Sequence, residues 1–227
     1  MKIGQQNDAN ERLGLRLFIN DDSAGWAEEQ EKKACILHAA AKIFADKGYA
    51  GTSVREIVEA AGVTKPTLYY YFKNKEDLYI KLVDETMHAF CSVLDESLTV
   101  RGKMRKCLLA LYTHLYELMR DHVDFVRLVN SMIYGPPGST PAYDLRPVDS
   151  HLLHVFSEML RGGVDEGELK EESFPEVILL LLGLLRTMQA HLVLNLKRSP
   201  LTVGEIKKSI DVIFDGVKPT VCSEARS

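Results

Sequence analysis

The chain has 227 residues, enough for one large domain or two small ones with a buried core. Hydrophobic residues make up 46% and charged residues 26%, which excludes a largely disordered chain. The 28 basic and 32 acidic residues leave a net charge of −4, so a nucleic-acid site has to be basic locally. The longest apolar run, Val177 to Leu182, is too short to span a bilayer, and no secretory leader is visible. No two of Cys35, Cys91, Cys107 and Cys222 form a CxxC pair. Reduced thiols in a cytoplasmic chain are expected, with the first three as small core residues.

Residues 1–27 hold three glycines and two polar runs and read as a mobile arm, with a hint of extended structure where Leu13, Leu15 and Leu17 alternate. A first helix is predicted over 28–47, with Ile36, Ala40, Ile43 and Phe44 on its apolar face and Gly48 ending it. Ser53 and Glu56 have capping-box spacing and start a second helix, which Gly62 breaks. Thr64 can cap a third short helix that tolerates Pro66 in its first turn. Asn74 caps a fourth over 75–98, roughly 36 Å long at 1.5 Å per residue. Further amphipathic helices are predicted at 103–120, 122–134, 144–162, 174–196 and 202–217. Gly135-Pro136-Pro137-Gly138 and Gly162-Gly163 punctuate them. No strand pattern intervenes, so the expected fold class is all-α. Residues 218–227 read as a tail.

Two short helices joined at Ala61-Gly62-Val63 behind a longer one have the layout of a helix-turn-helix, whose second helix enters the major groove. At 100° per residue, burying Leu68 and Phe72 turns Pro66 and Tyr70 outward with Thr67 beside them, and puts Tyr69 and Tyr71 on the flanks. Three consecutive tyrosines cannot share one buried face. Lys65, Lys73 and Lys75 supply positive charge with no acid between Gly62 and Lys75.

The strings Thr52-Ser53-Val54-Arg55-Glu56-Ile57, Ala61-Gly62-Val63-Thr64-Lys65, Leu68-Tyr69-Tyr70-Tyr71-Phe72 and Lys75-Glu76-Asp77-Leu78 resemble the DNA-binding domain of TetR-type transcriptional regulators. The resemblance covers about residues 30–82. It implies a three-helix DNA-binding domain (28–75) followed by a larger helical ligand-binding and dimerisation domain (76–217). It implies that Thr52 binds phosphate, that Thr64 and Lys65 meet backbone or a base, that Pro66, Thr67 and Tyr70 lie against base edges, and that Tyr69, Tyr71 and Lys75 clamp phosphates. Glycine is common in the family where Pro66 stands; proline has no amide to donate, so an apolar contact is expected there.

The same resemblance implies a pocket for an unknown small-molecule effector, with Tyr112, His114, Met119, Arg127, Met132, His154 and Met188 as its expected lining. It also implies a homodimer through helices 174–196 and 202–217, presenting two recognition helices to a palindromic double-stranded DNA operator. A stripe of Val203, Ile206, Ile210, Ile213 and Val217 marks the last helix. His151 and His154 have a spacing that zinc or nickel can use, but a lone pair is common without metal, and none is assigned. No cofactor, no membrane contact and no catalytic residue is expected. GxSxG, HExxH and GxGxxG are absent, and Gly135–Pro141 lacks the lysine of a phosphate loop. The reading is a ligand-released repressor. Its rivals are a helical small-molecule-binding protein or enzyme with an incidental helix-turn-helix, and a protein-binding module using Tyr69–Tyr71 as an adhesive patch.

Overall fold

The computed structural model describes residues 27–100, 102–194 and 201–216. In order they form α1 (Ala27–Gly51), α2 (Val54–Ala61), α3 (Lys65–Tyr71), α4 (Lys75–Thr99), α5 (Met104–Asp121), α6 (Val123–Tyr134), α7 (Arg146–Asp165), a 3-10 turn (Glu171–Ser173), α8 (Phe174–Leu194) and α9 (Val203–Gly216), with no strand among them. The all-α expectation is met. The expected arm over residues 1–26, helix residues 195, 196 and 217, and the tail with Cys222 lie outside the described residues.

The described chain divides into two compact units, and two of the three boundaries fall inside helices. The first unit takes residues up to Phe90 together with Leu118–Asp144; the second takes Cys91–Glu117 and everything from Leu145. The first unit therefore holds α6 as well as α1, α2 and α3. There α1 packs on α6, α2 and α3. Its inner face buries Ile36, Ala40 and Phe44, while Ile43 is half-buried. Gly48, at φ 72°, interrupts the helical backbone where a stop was expected. Its left-handed angle suits glycine.

In the second unit α7 packs on α8, and α8 on α9. Tyr112 is fully buried, lies parallel to Phe156 with centroids 6.2 Å apart, and donates its hydroxyl to Leu181 O at 2.6 Å. Arg105 pairs with Asp215 at 3.0 Å and Asp211 at 3.6 Å, joining α5 to α9. Thr202 and Glu205 close a capping box at the start of α9.

Two expectations are corrected here. Gly162-Gly163 does not end α7, which continues to Asp165; a left-handed Gly167, at φ 70°, follows instead. Gly163 has a packing role, because a Cβ built on it would lie 2.2 Å from Met104 Sδ. The second correction concerns length. Counting only unbroken apolar residues hid that Glu171–Leu194 is long and apolar enough to cross a membrane by length and composition, with mean hydropathy 1.9. Within its unit this helix buries Val177, Leu181, Leu185 and Met188. Of the cysteines, Cys107 is buried, and Cys35 and Cys91 are only half-buried.

Candidate nucleic-acid interface

The helix pair is built by local rules. Ser53 accepts from Glu56 N–H while Glu56 accepts from Ser53 N–H, a complete capping box. Lys47 adds an ion pair to the same carboxylate. The Lys47 hydrogen bond first, and those from Ser53 next, hold the Glu56 carboxyl down at about 2. Gly62 sits at φ 66°, the left-handed turn that only glycine adopts without cost, and Val63 N–H reaches back to Val58 O at 3.0 Å. Thr64 then caps α3, accepting from Thr67 N–H at 3.3 Å, with Pro66 in the first turn. Asn74 caps α4 by accepting from Asp77 N–H at 2.8 Å.

The derived facing of α3 agrees with the structure. Leu68 and Phe72 are fully buried, Tyr70 is 73% exposed and Tyr69 is 50% exposed. Lys65 and Pro66 are exposed, and Thr67 and Tyr71 are half-buried. The Tyr70 and Tyr71 rings meet edge to face at 5.0 Å. Lys65 and Lys73 stand exposed at the two ends of the helix. The result is a short rod with an apolar side tied into the unit and a phenol-rich side open to a partner.

Two residues expected on phosphate are placed otherwise. Thr52 is buried, and its hydroxyl donates to Gly48 O at 2.7 Å. It ties the end of α1 to α2, and the cap position belongs to Ser53. Lys75 Nζ donates to Tyr49 O at 2.8 Å and Thr52 O at 3.0 Å and sits 4.2 Å over the Tyr49 ring. Its charge is occupied by carbonyls left open where α1 ends. Behind it, Phe44, Tyr49 and Tyr79 form an aromatic cluster with centroids 5.2–5.8 Å apart. Sequence reasoning missed one contact altogether: Tyr70 donates its hydroxyl to Glu29 Oε1 at 2.9 Å, across 41 positions. No local pattern signals a contact at that separation.

The residues expected to line an effector pocket are not all of one kind. Tyr112 and Met188 are fully buried in the second unit. His114 and His154, in the same unit, are exposed, so neither imidazole is a buried polar handle. Met119, Met132 and Arg127 belong to the first unit. Met119 is buried and Met132 half-buried. Arg127 is held by Asp124 at 3.4 Å and Asp46 at 4.0 Å. His151 Nε2 lies 2.9 Å from Asp95 Oδ1.

Residues 36–82 match the family model described as bacterial regulatory proteins, tetR family. The chain is 28% identical over 145 residues to the Bacillus subtilis fatty acid metabolism regulator protein, covering 63% of this chain and 74% of that one. It is 36% identical over 94 residues to the transcriptional regulator TtgR of Pseudomonas putida, covering 39% and 44%. Among solved structures it is similar to FadR of Bacillus subtilis in complex with stearoyl-CoA, with TM-score 0.64, 23% identity and coverage of 81% and 98%. It is also similar to the TetR-family regulator PfmR of Thermus thermophilus, with TM-score 0.62, 21% identity and coverage of 81% and 99%. These two likenesses establish the fold. The matched segment lies over a helix-turn-helix whose outward face is open, so residues 36–82 form a DNA-binding domain of the tetR type.

Proposed function

We propose that the protein is a homodimeric cytoplasmic repressor, acting by binding and not by catalysis, that leaves a palindromic operator when a small-molecule effector binds. The observation that carries the DNA-binding part is the open face of α3, with Tyr69 and Tyr70 exposed between the exposed ammonium groups of Lys65 and Lys73. In this reading Lys65 contacts phosphate. Pro66, Thr67 and Tyr70 meet base edges, and Thr64, Tyr69 and Tyr71 donate to the backbone. Lys73 joins them on charge. Thr52 and Lys75 act from behind, holding α1, α2 and the start of α4 in register.

The dimer rests on α8 and α9. Leu179 is 70% and Val212 72% exposed; with Leu180, Leu184 and Ile213 they border a shallow groove of about 510 Å³. Aliphatic side chains left this open on two adjacent helices suit a partner surface, and a second copy supplies an identical face across a two-fold axis.

For the effector we propose a long-chain acyl thioester. Support comes from the relative described as a fatty acid metabolism regulator and from the similar fold solved with stearoyl-CoA. The test is fluorescence anisotropy on double-stranded DNA selected from a random library by the full chain. Binding should weaken steeply with salt, and stearoyl-CoA should release the DNA where free stearate and coenzyme A do not. Salt-insensitive or absent DNA binding overturns the repressor reading. DNA binding untouched by stearoyl-CoA overturns the effector class alone.

A further inference from the structure

The most exposed aromatic side chain of the recognition helix is not free. Tyr70 offers its hydroxyl hydrogen to Glu29 Oε1 at 2.9 Å, and Glu29 belongs to the opening of α1. A phenol has one hydrogen to give and two lone pairs to receive with. A carboxylate only accepts, and an O–H bonded to an anion is among the stronger hydrogen bonds. With that hydrogen engaged by Glu29, what the Tyr70 oxygen can show to a third group is an acceptor. The same bond and the negative charge behind it push the phenol pKa up, so the proton stays in place.

The base edges of the major groove sort by this property. Cytosine presents the N4 amino donor and adenine the N6 amino donor beside its N7 acceptor; guanine presents N7 and O6, and thymine O4, all acceptors. A neutral phenol with a free hydrogen satisfies either set and discriminates poorly. A phenol fixed as an acceptor does not. We propose that Glu29 is a specificity-determining positioning residue: by taking the Tyr70 hydrogen it makes the phenol an acceptor, so the operator prefers cytosine or adenine at the base facing Tyr70. The inference rests on the reading that α3 enters the major groove. Glu29 acts through Tyr70. With α3 docked on a duplex, its negative charge would also oppose the phosphates, lowering affinity for all sequences while sharpening the choice among them.

The experiment selects operators from a random double-stranded DNA library with the full-length wild type. Binding of all four bases at each operator position is then compared for wild type, Tyr70→Phe, Glu29→Ala and Glu29→Lys, with thermal melts confirming that each variant folds. Comparing bases within one variant cancels the overall change in charge. In the wild type, one position should favour cytosine or adenine by roughly tenfold. Tyr70→Phe should flatten that position alone. Glu29→Ala frees the hydrogen and should reduce the preference to about twofold or less. Glu29→Lys must donate to the phenol oxygen, which turns the hydrogen outward, so the preference should invert toward guanine or thymine. If Tyr70→Phe flattens a position and both Glu29 variants keep the wild-type ranking there, the inference is overturned and the docking reading stands. If Tyr70→Phe flattens nothing, Tyr70 reads no base and the inference also fails. A wild type that binds without any base preference removes the docking reading itself.

Discussion

At the scale of single residues, two lysines ten positions apart have opposite duties. Lys65 stands exposed and is proposed to meet phosphate, so Lys65→Ala should lower the slope of log affinity against log salt by about one unit and weaken all sequences alike. Lys75 is bound to two carbonyls and an aromatic face. Lys75→Met should leave the salt slope unchanged and destabilise the first unit by about 1–3 kcal/mol, read as a lower melting temperature. The two were alike in sequence because charge is legible there and a carbonyl 26 positions away is not. His122 gives a pH test. Burial first, and the His38 imidazole next, lower its pKa below the usual 6.5, against an opposing push from Asp121. The unfolded chain therefore takes up a proton near 6.5 that the folded chain refuses. Stability is full above that pH and falls as the pH drops below it. Melting temperatures at pH 7.5 and 5.5 should differ more for wild type than for His122→Gln. The Glu56 carboxyl, held at about 2 against an ordinary 4.5, acts lower down: its contribution is present above 4.5 and lost as the pH falls toward 2.

At the scale of elements, legibility follows the range of the forces involved. The Ser53–Glu56 box, the Gly62 turn, the Thr64 cap and the Asn74 cap join residues within five positions of one another, and each was readable from spacing. Ser53→Ala should cost about 1 kcal/mol, measurable by denaturant unfolding. The facing of α3 was readable too, because two buried residues fix a rigid rod. Thr52 was misjudged because its hydroxyl has a carbonyl within the turn before it. Gly162-Gly163 was misjudged because glycine serves two ends: a helix stop, or a gap that lets a neighbour approach. Here Met104 fills the gap. Gly163→Ala should displace the flexible end of Met104, an overpacking cost that the gain in helix propensity of about 1 kcal/mol offsets in part; Met104→Ala should leave that gain unopposed, a non-additivity that a double-mutant cycle would expose.

At the scale of the whole molecule, the assembly proposal turns on α8 and α9. A charge set into the uncovered face, as in Leu179→Glu or Val212→Glu, should shift sedimentation from dimer to monomer and remove high-affinity binding to a two-half-site operator. Helical content should be unchanged, since neither side chain is buried within its own unit. The apolarity of this face was visible along the sequence. Its direction was not, because a helix apolar nearly all round has no polar side to mark the exterior. That leucine-rich exterior has a consequence for gene dosage. In the proposed dimer, where protein is scarce and mostly in single copies, operator occupancy would grow with the square of its concentration, so halving the supply would leave about a quarter of the occupancy. Uneven partition at cell division would then switch the regulated genes in some daughters before any effector arrives.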